Sequence, residues 1–450
     1  MPLSGELPEI SPMRKLVYIV VLAGLILVPF LQGEEKTTPA PAPPKIDSLI
    51  EQLGDRTHSR RELASKTLEA MGPNILPELR KARPNADPEI RRRLDDLIPT
   101  LETVAILTPK RITFKITKKP MKDIGEEITK QTGYKLTFYS GGEQQLYSFQ
   151  FENATFWEVI DKVCETTGMT IQHGYGDDQV RLNFADSIAP HLHRDGVFRF
   201  QATGFQHTRN VNFATVPRTP APPQRSESLL LNFAICTEPK LPLLGVGAVK
   251  LSEAFDEDKN SMIPTGNTND LNNFNRRYYY GGGNYRSFYT QTSVPLVRAT
   301  DKAKQLKLVR GTIVVNLLAE QKPEMISDNV FKAKGKTAKF GSTSLQVEEV
   351  TGTPGKQCEI RVGITEEGKE NDYTWMNSMY QRFEVQDSKG EKYQIYNSGM
   401  SSNGNGHAQY TFTVNPPGNV KLGPPQKLIF YSWKTTQQMV PFEFKDLPLP

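Results

Sequence analysis

Between Ile46 and Leu101 the apolar residues recur every three or four positions, which is the period of an amphipathic helix. Gly72-Pro73 and Pro84 interrupt this pattern. Asp87-Pro88 has the residue types that begin a helix, because the Asp side chain can cap free N–H groups and Pro fits the first turn. The pattern predicts a segment of three to four short antiparallel helices over residues 46–105.

The next part of the chain contains an internal repeat. Residues 113–136 and 148–171 align without a gap at an offset of 35 positions. Each copy has the pattern of an alternating strand, a polar turn, an amphipathic helix ended by glycine and a second strand. The repeat predicts a paired βαβ domain over residues 109–186. We expect the two copies to share one small core that contains Trp157 and Cys164, since a single unit cannot cover both faces of its strands.

After about residue 190 the apolar positions alternate with polar ones, and clusters of Pro, Gly and Asn separate the runs. We predict a β-sandwich domain over 192–322, with a low-complexity insertion near 264–290, and a second one over 325–450. Seven predicted strands within ~120 residues are typical of an immunoglobulin-like sandwich. The predicted fold class is therefore α+β and multidomain.

The N-terminal residues predict export. An uncharged run over residues 16–31 follows the basic pair Arg14-Lys15. We interpret residues 1–33 as a signal peptide or as a single membrane anchor, and the sequence leaves both possibilities open. A Pro-rich linker follows over 34–45. Both alternatives place the rest of the chain outside the cytoplasm, in the periplasm or cell envelope.

Two segments resemble known families. The helical segment is similar to HEAT-like units through Gly72-Pro73 and the stretch from Asp87 to Arg92. The repeat resembles the short N-terminal (STN) domain of secretins and TonB-dependent receptors, through Pro120-Met121-Lys122-Asp123-Ile124 and the Thr132-Gly133 helix end. The second resemblance implies a module that binds other proteins and carries no catalytic residues. No pore or barrel sequence follows it, which argues against transport or secretion.

Net charge and cysteine usage give no positive signal for a particular chemistry. The chain has 450 residues, with 55 Lys and Arg against 50 Asp and Glu, so its net charge of +5 is too dilute to indicate a nucleic-acid partner. Cys164, Cys236 and Cys358 lie far apart and form no metal-binding spacing, and we expect them to be small buried residues.

Motifs for catalysis or metal binding are incomplete. His191-Leu-His193 with Asp195 lacks a further ligand at a known distance. The stretch that begins at Asp256 starts like a calcium loop, but Ser261 and Asn267 stand where Gly and Glu are required. The sequence has no nucleophile elbow, zinc-protease motif or P-loop. We therefore expect no enzyme activity, no metal and no cofactor.

Aromatic side chains in two loops are the candidate contact residues for a protein or a glycan. They are Tyr278, Tyr279, Tyr280, Tyr285, Arg286, Tyr373, Trp375 and Tyr380. The leading hypothesis is a non-enzymatic envelope scaffold or protein-interaction protein with unknown envelope partners. The alternative is a carbohydrate- or peptidoglycan-binding protein that uses these aromatic loops.

Overall fold

A computed structural model describes residues 45–138, 145–172, 179–184, 191–213, 224–264, 287–298, 300–354, 356–369, 375–418 and 422–450. The predicted signal or anchor segment, the linker up to residue 44 and most of the low-complexity insertion lie outside this part of the chain. Within it, none of the helices combines the length and apolar character that crossing a bilayer requires.

The described residues form seven α-helices: α1 (Ile46–Gln52), α2 (His58–Ala70), α3 (Leu76–Ala82), α4 (Pro88–Leu107), α5 (Met121–Thr132), α6 (Phe156–Thr167) and α7 (Met376–Met379). Helices α1 to α4 enclose a small leucine-rich core of their own. The Asp87 side chain accepts a hydrogen bond from the N–H of Ile90, so the predicted cap of α4 is present. The end of α4 leaves this core, and Ile106 and Leu107 pack against the neighbouring β-sheets.

The described strands are β1 (Arg111–Pro120), β2 (Lys135–Phe138), β3 (Leu146–Thr155), β4 (Met169–Gln172), β5 (Gln179–Phe184), β6 (Leu192–Asp195), β7 (Phe198–Asn212), β8 (Gln224–Cys236), β9 (Leu243–Asp256), β10 (Tyr289–Leu296), β11 (Gln305–Ser327), β12 (Thr337–Phe340), β13 (Thr343–Gly352), β14 (Cys358–Glu366), β15 (Phe383–Gln386), β16 (Gln394–Gly404), β17 (His407–Asn415) and β18 (Lys427–Pro448). All pairs of neighbouring strands among them are antiparallel except β2 and β5, which are parallel. The protein is thus a mixed α and β structure dominated by antiparallel sheets.

The repeat forms the paired module, residues 109–184, in which α5 and α6 share one core with two small sheets. Strands β1 and β3 pair with each other, and β5 lies between β2 and β4 in the second sheet. The two strands of each unit therefore belong to different sheets, whereas a parallel βαβ unit would place them in one. The reason is that β1 and β3 are apolar on one face only, which suits an antiparallel pair with a solvated face.

The first β core lies between the sheet β10-β8-β7-β6 and the sheet β15-β18-β11-β9. The rings of Phe200 and Phe233 stack on Phe442 at centroid distances of 6.0 and 5.1 Å. Phe442 is far away in sequence from the other two rings, so residues near the C-terminus complete the first β core.

The second β core lies between the five-stranded sheet β12-β13-β14-β17-β16 and the other end of the sheet that holds β11 and β18. The ring of Phe383 contacts Phe412 at 4.8 Å and Phe430 at 5.3 Å between centroids. Strands β11 and β18 pair along nearly their whole length and serve both cores. The predicted division into 192–322 and 325–450 therefore does not separate the two cores, because residues 440–447 return to the first one.

Candidate partner-binding groove

An open groove of about 570 Å³ lies on the paired module, between α5 and the edge of β2. Its lining residues are Lys122, Gly125, Glu126, Thr129, Lys130, Leu136, Thr137 and Phe138. Among the described strands, β2 pairs with β5 alone, so it is an edge strand of its sheet. Edge strands and helix-lined grooves are surfaces that proteins use for peptide recognition.

The floor of the groove exists because position 125 is glycine. A Cβ atom there would lie 2.6 Å from Cε2 of Phe138, closer than side-chain atoms approach one another. The missing side chain lets the Phe138 ring rest on the backbone of α5 beside Leu136. The adjacent Thr137 hydroxyl is buried and has no hydrogen-bond partner in the part of the chain that the structure describes. A buried hydroxyl in this state costs free energy until a donor or acceptor reaches it.

The rim of the groove carries charges that are open to solvent. The Lys122 and Glu126 side chains are 83% and 69% exposed, and their closest charged atoms are 4.0 Å apart. Such an exposed pair contributes little stability, so a partner can separate it at small cost. The groove thus combines an apolar floor with an ammonium and a carboxylate at its edge.

The corresponding side of α6 is covered. Trp157, Asp161 and Cys164 lie on one stripe of the helix and are buried. The indole Nε1 of Trp157 donates a hydrogen bond to the carbonyl of Val197 at 3.0 Å. This stripe holds the paired module against β6, β7 and the first β core.

An ion-paired carboxylate lies in the centre of this junction. Asp161 accepts hydrogen bonds from Nε of Arg194 at 2.6 Å and from Nε of Arg199 at 2.8 Å. Arg199 is 5% exposed, and the carbon of its guanidinium group stands 5.9 Å from the centroid of the Trp157 ring. Charge-assisted bonds of this kind compensate the buried Arg199 guanidinium with one buried carboxylate, and the exposed Arg194 side chain adds a second pair from the rim.

A second buried carboxylate, Glu238, joins the same two bodies at the start of β1. Its oxygens accept hydrogen bonds from the Lys110 N–H at 3.1 and 3.2 Å and from the Tyr134 hydroxyl at 2.8 Å. Burial raises the pKa of Glu238 to about 7, and these hydrogen bonds together with the charges of Lys110 and Arg111 offset only part of the rise. The Lys240 ammonium adds a further link, a hydrogen bond to the Gly133 carbonyl.

The aromatic candidates occupy different situations. Tyr278, Tyr279, Tyr280, Tyr285, Arg286 and Tyr373 lie outside the described residues. Trp375 is 8% exposed and belongs to the second β core, and Tyr380 packs half-buried at its edge. A buried indole offers no face to a sugar ring.

The residues of the candidate metal motifs make packing contacts and turn hydrogen bonds within the chain. No group of three His, Cys, Asp or Glu side chains in the described ranges could hold a metal ion. His193, a residue of β6, is half-buried beside Pro441 of β18, and burial lowers its pKa. Asp256 accepts hydrogen bonds from the N–H groups of Asp258 and Asn260. Its carboxylate therefore stabilises the turn that follows β9.

The three cysteines are free and buried. Burial raises the pKa of Cys164 and of Cys236 to about 12 and that of Cys358 to about 11. Each thiol therefore stays protonated at neutral pH and is a poor nucleophile.

Sequence reasoning missed the groove, although a signal was present in the repeat. At the offset of 35, Gly125 matches Ile160 and Lys122 matches Trp157. A glycine and a lysine at positions where the second copy has large apolar residues indicate that the first copy leaves a surface uncovered.

Comparison with known proteins adds little to this geometry. No protein-family model matches the chain, and no curated protein is significantly similar to it in sequence. A solved structure described as the conserved domain protein from Bacillus anthracis aligns with 56% of this chain and 87% of its own length. The aligned residues are 8% identical and the TM-score is 0.16, a value that supports no argument about fold or function.

Proposed function

We propose that this protein is a non-enzymatic scaffold that binds a protein partner outside the cytoplasm through its paired module. The single observation that carries the proposal is the open groove, with the apolar floor of Leu136 and Phe138 and the charged rim of Lys122 and Glu126. The module is fixed to the first β core by Asp161 and Glu238, so a partner bound in the groove is held rigidly relative to the rest of the chain.

The resemblance of residues 109–186 to the STN domain supports this proposal, because modules of that family bind other proteins. The HEAT-like resemblance of residues 46–105 agrees with it, since such helical units are interaction scaffolds. The C-terminal β region fits the same proposal as an immunoglobulin-like support.

Location outside the cytoplasm rests on the uncharged run over residues 16–31 behind Arg14-Lys15. Fractionation of cells followed by N-terminal sequencing of the purified protein tests this part. Recovery of the chain from the cytosol with residues 1–33 still attached would refute it.

Trp375, the indole that would stack on a sugar in the carbohydrate alternative, is buried in the second β core. We therefore propose a protein, and not a glycan, as the partner of the described surface.

Capture of cross-linked partners from envelope fractions tests the proposed function. The full chain serves as bait, and Thr129→Trp fills the groove with an indole without removing a rim charge. We expect this variant to lose a partner that the parent chain retains. The matched control is Thr166→Trp, which places the same indole on the exposed face of α6. A partner set unchanged by Thr129→Trp would contradict the proposed role of the groove.

A further inference from the structure

The two units of the paired module are near copies related by a local two-fold axis. In the β1–β3 ladder, Arg111 pairs with Thr155 and Pro120 pairs with Leu146, a register that is unchanged when the two units are exchanged at the offset of 35. Lys118 and Asn153, equivalent positions, both have φ of 49°. The helices end in the same way, at Gly133 with φ of 74° and Gly168 with φ of 73°. What one unit binds is therefore informative about the other.

Helices α5 and α6 bury equivalent positions toward the shared core. They differ in the burial of three residues that form a stripe beside these positions. On α6 this stripe is Trp157, Asp161 and Cys164, and all three side chains are buried. Its counterpart on α5 is Lys122, Glu126 and Thr129, of which the first two are exposed and the third is half-buried. These three residues are also the α5 side of the groove. Among the described residues, the groove is thus the uncovered equivalent of the surface that α6 uses to dock.

The α6 stripe is covered by a β-hairpin of this same chain, residues 192–201, which we call the docking hairpin. Its turn at Gly196-Val197 presents the Val197 carbonyl to the Trp157 indole. Its strands present Arg194 and Arg199 to Asp161.

The α5 stripe keeps the same order of hydrogen-bonding groups. The Lys122 ammonium, a donor, stands at the position of the Trp157 N–H, and the Glu126 carboxylate stands at the position of Asp161. We infer that the groove receives a β-hairpin turn of a partner protein, with a backbone carbonyl accepting from Lys122 and an arginine paired with Glu126. The inference rests on the proposed function and adds the chemistry of the partner segment.

We expect the groove to bind a different protein and not a second copy of this chain, because the docking hairpin of each copy is already buried in its own junction. The docking hairpin is already buried against α6, where Val197 is 2% and Arg199 5% exposed. A second copy of the chain has its hairpin engaged in the same way, so it has no equivalent segment to offer.

A synthetic hairpin with the sequence of residues 192–201, closed by a terminal disulfide and carrying a fluorophore, tests the inference. Binding to the full chain is measured by fluorescence anisotropy at low salt. We expect saturable binding that weakens about tenfold or more with Glu126→Lys, because the carboxylate that pairs with arginine is replaced by a like charge. A hairpin with both arginines replaced by glutamate should bind the Glu126→Lys chain more tightly than the original hairpin does.

Glu165→Lys is the matched control, since it reverses an exposed carboxylate on α6 away from the groove. It should leave the affinity of the hairpin unchanged. Absence of binding, or equal binding to the parent and Glu126→Lys chains, would overturn the inference. Sedimentation at several protein concentrations gives a further check, because self-association lost in Glu126→Lys would identify a second copy as the occupant. If Thr129→Trp loses the captured envelope partner while Glu126→Lys retains it, the inference fails and the proposed function stands.

Discussion

Two buried carboxylates at one junction have opposite environments. Asp161 forms ion pairs with the guanidinium groups of Arg194 and Arg199. Among the described residues, Glu238 receives only an amide N–H and a hydroxyl as hydrogen-bond donors, so burial dominates and raises its pKa to about 7. The charge of Glu238 therefore depends on pH near neutrality.

Substitution of Asp161 by Asn should destabilise the protein by about 3–5 kcal/mol, because it leaves the buried Arg199 guanidinium without a counter-charge. The midpoint of urea unfolding measures the loss. Glu165→Gln on the exposed face of the same helix should change stability by less than about 0.5 kcal/mol. Equal effects of the two substitutions would show that the buried pair has no special role.

The raised pKa of Glu238 should make the free energy of unfolding depend on pH, and Glu238→Gln should remove this dependence. The pKa of this carboxyl rises from an ordinary value of 4.5 to about 7 on folding, so the folded chain holds the proton more tightly between these values. Stability of the parent chain relative to Glu238→Gln should therefore be greatest below pH 4.5, fall as pH rises through about 7 and stay constant above it. The full difference is at most about 3 kcal/mol.

Urea unfolding of both chains between about pH 4 and pH 8.5 would measure this difference, in which other titrating groups cancel. A difference that increased with pH would contradict the raised pKa. Glu165→Gln again provides a carboxylate-to-amide control at an exposed site.

Among the elements, the two helices of the repeat have the same length, the same glycine ends and the same inward positions. Their outer stripes differ because α6 docks on the first β core and α5 does not. Gly125 departs from the usual composition of a helix interior, since glycine there is normally unfavourable. Here it allows the close approach of the Phe138 ring.

Gly125→Ala should destabilise the chain by about 1–3 kcal/mol, although the same change in an unconstrained helix is stabilising. The reason is the 2.6 Å separation between the new Cβ and Cε2 of Phe138. In a Phe138→Ala background the contact is absent, and Gly125→Ala should then stabilise the protein. Urea unfolding of the four chains of this double-mutant cycle measures the coupling, and additive effects would refute the steric explanation.

Across the whole molecule, β11 and β18 connect two cores that the sequence predicts as separate domains. Strand β18 contributes Leu428 and Phe430 to the second core and Val440, Phe442 and Phe444 to the first. Because both cores share these strands, we expect the β region to unfold as one unit.

Phe442→Ala tests this expectation, because the ring is 1% exposed and packs between Phe200 and Phe233. We expect a loss of about 3–5 kcal/mol and faster amide hydrogen exchange in β7 and β8. Met439→Ala, at a 61% exposed position of the same strand, should have little effect. Unchanged exchange in β7 and β8 would indicate that the first core does not depend on the C-terminal strand.

Local patterns in the sequence predicted the elements well. Helical spacing with Asp87-Pro88 anticipated the capped start of α4, and the repeat anticipated two equivalent helices around a core with Trp157 and Cys164. The groove was not predicted, since it depends on which of two equivalent stripes remains uncovered. Export and the role of the tyrosine-rich insertion concern residues that the structure does not describe, and they stay predictions.

The periodicities, the caps and the internal repeat follow from the amino-acid sequence alone, because they depend on contacts between residues close together in the chain. Long-range packing settles instead that β1 and β2 lie in different sheets and that β18 returns to the first core. It also settles that, within the described residues, the outer stripe of α6 is covered while that of α5 stays open. Those outcomes depend on contacts between residues far apart in sequence, such as Asp161 with Arg199 and Phe233 with Phe442. A local pattern indicates that a face is apolar or charged, but not which distant segment will cover it.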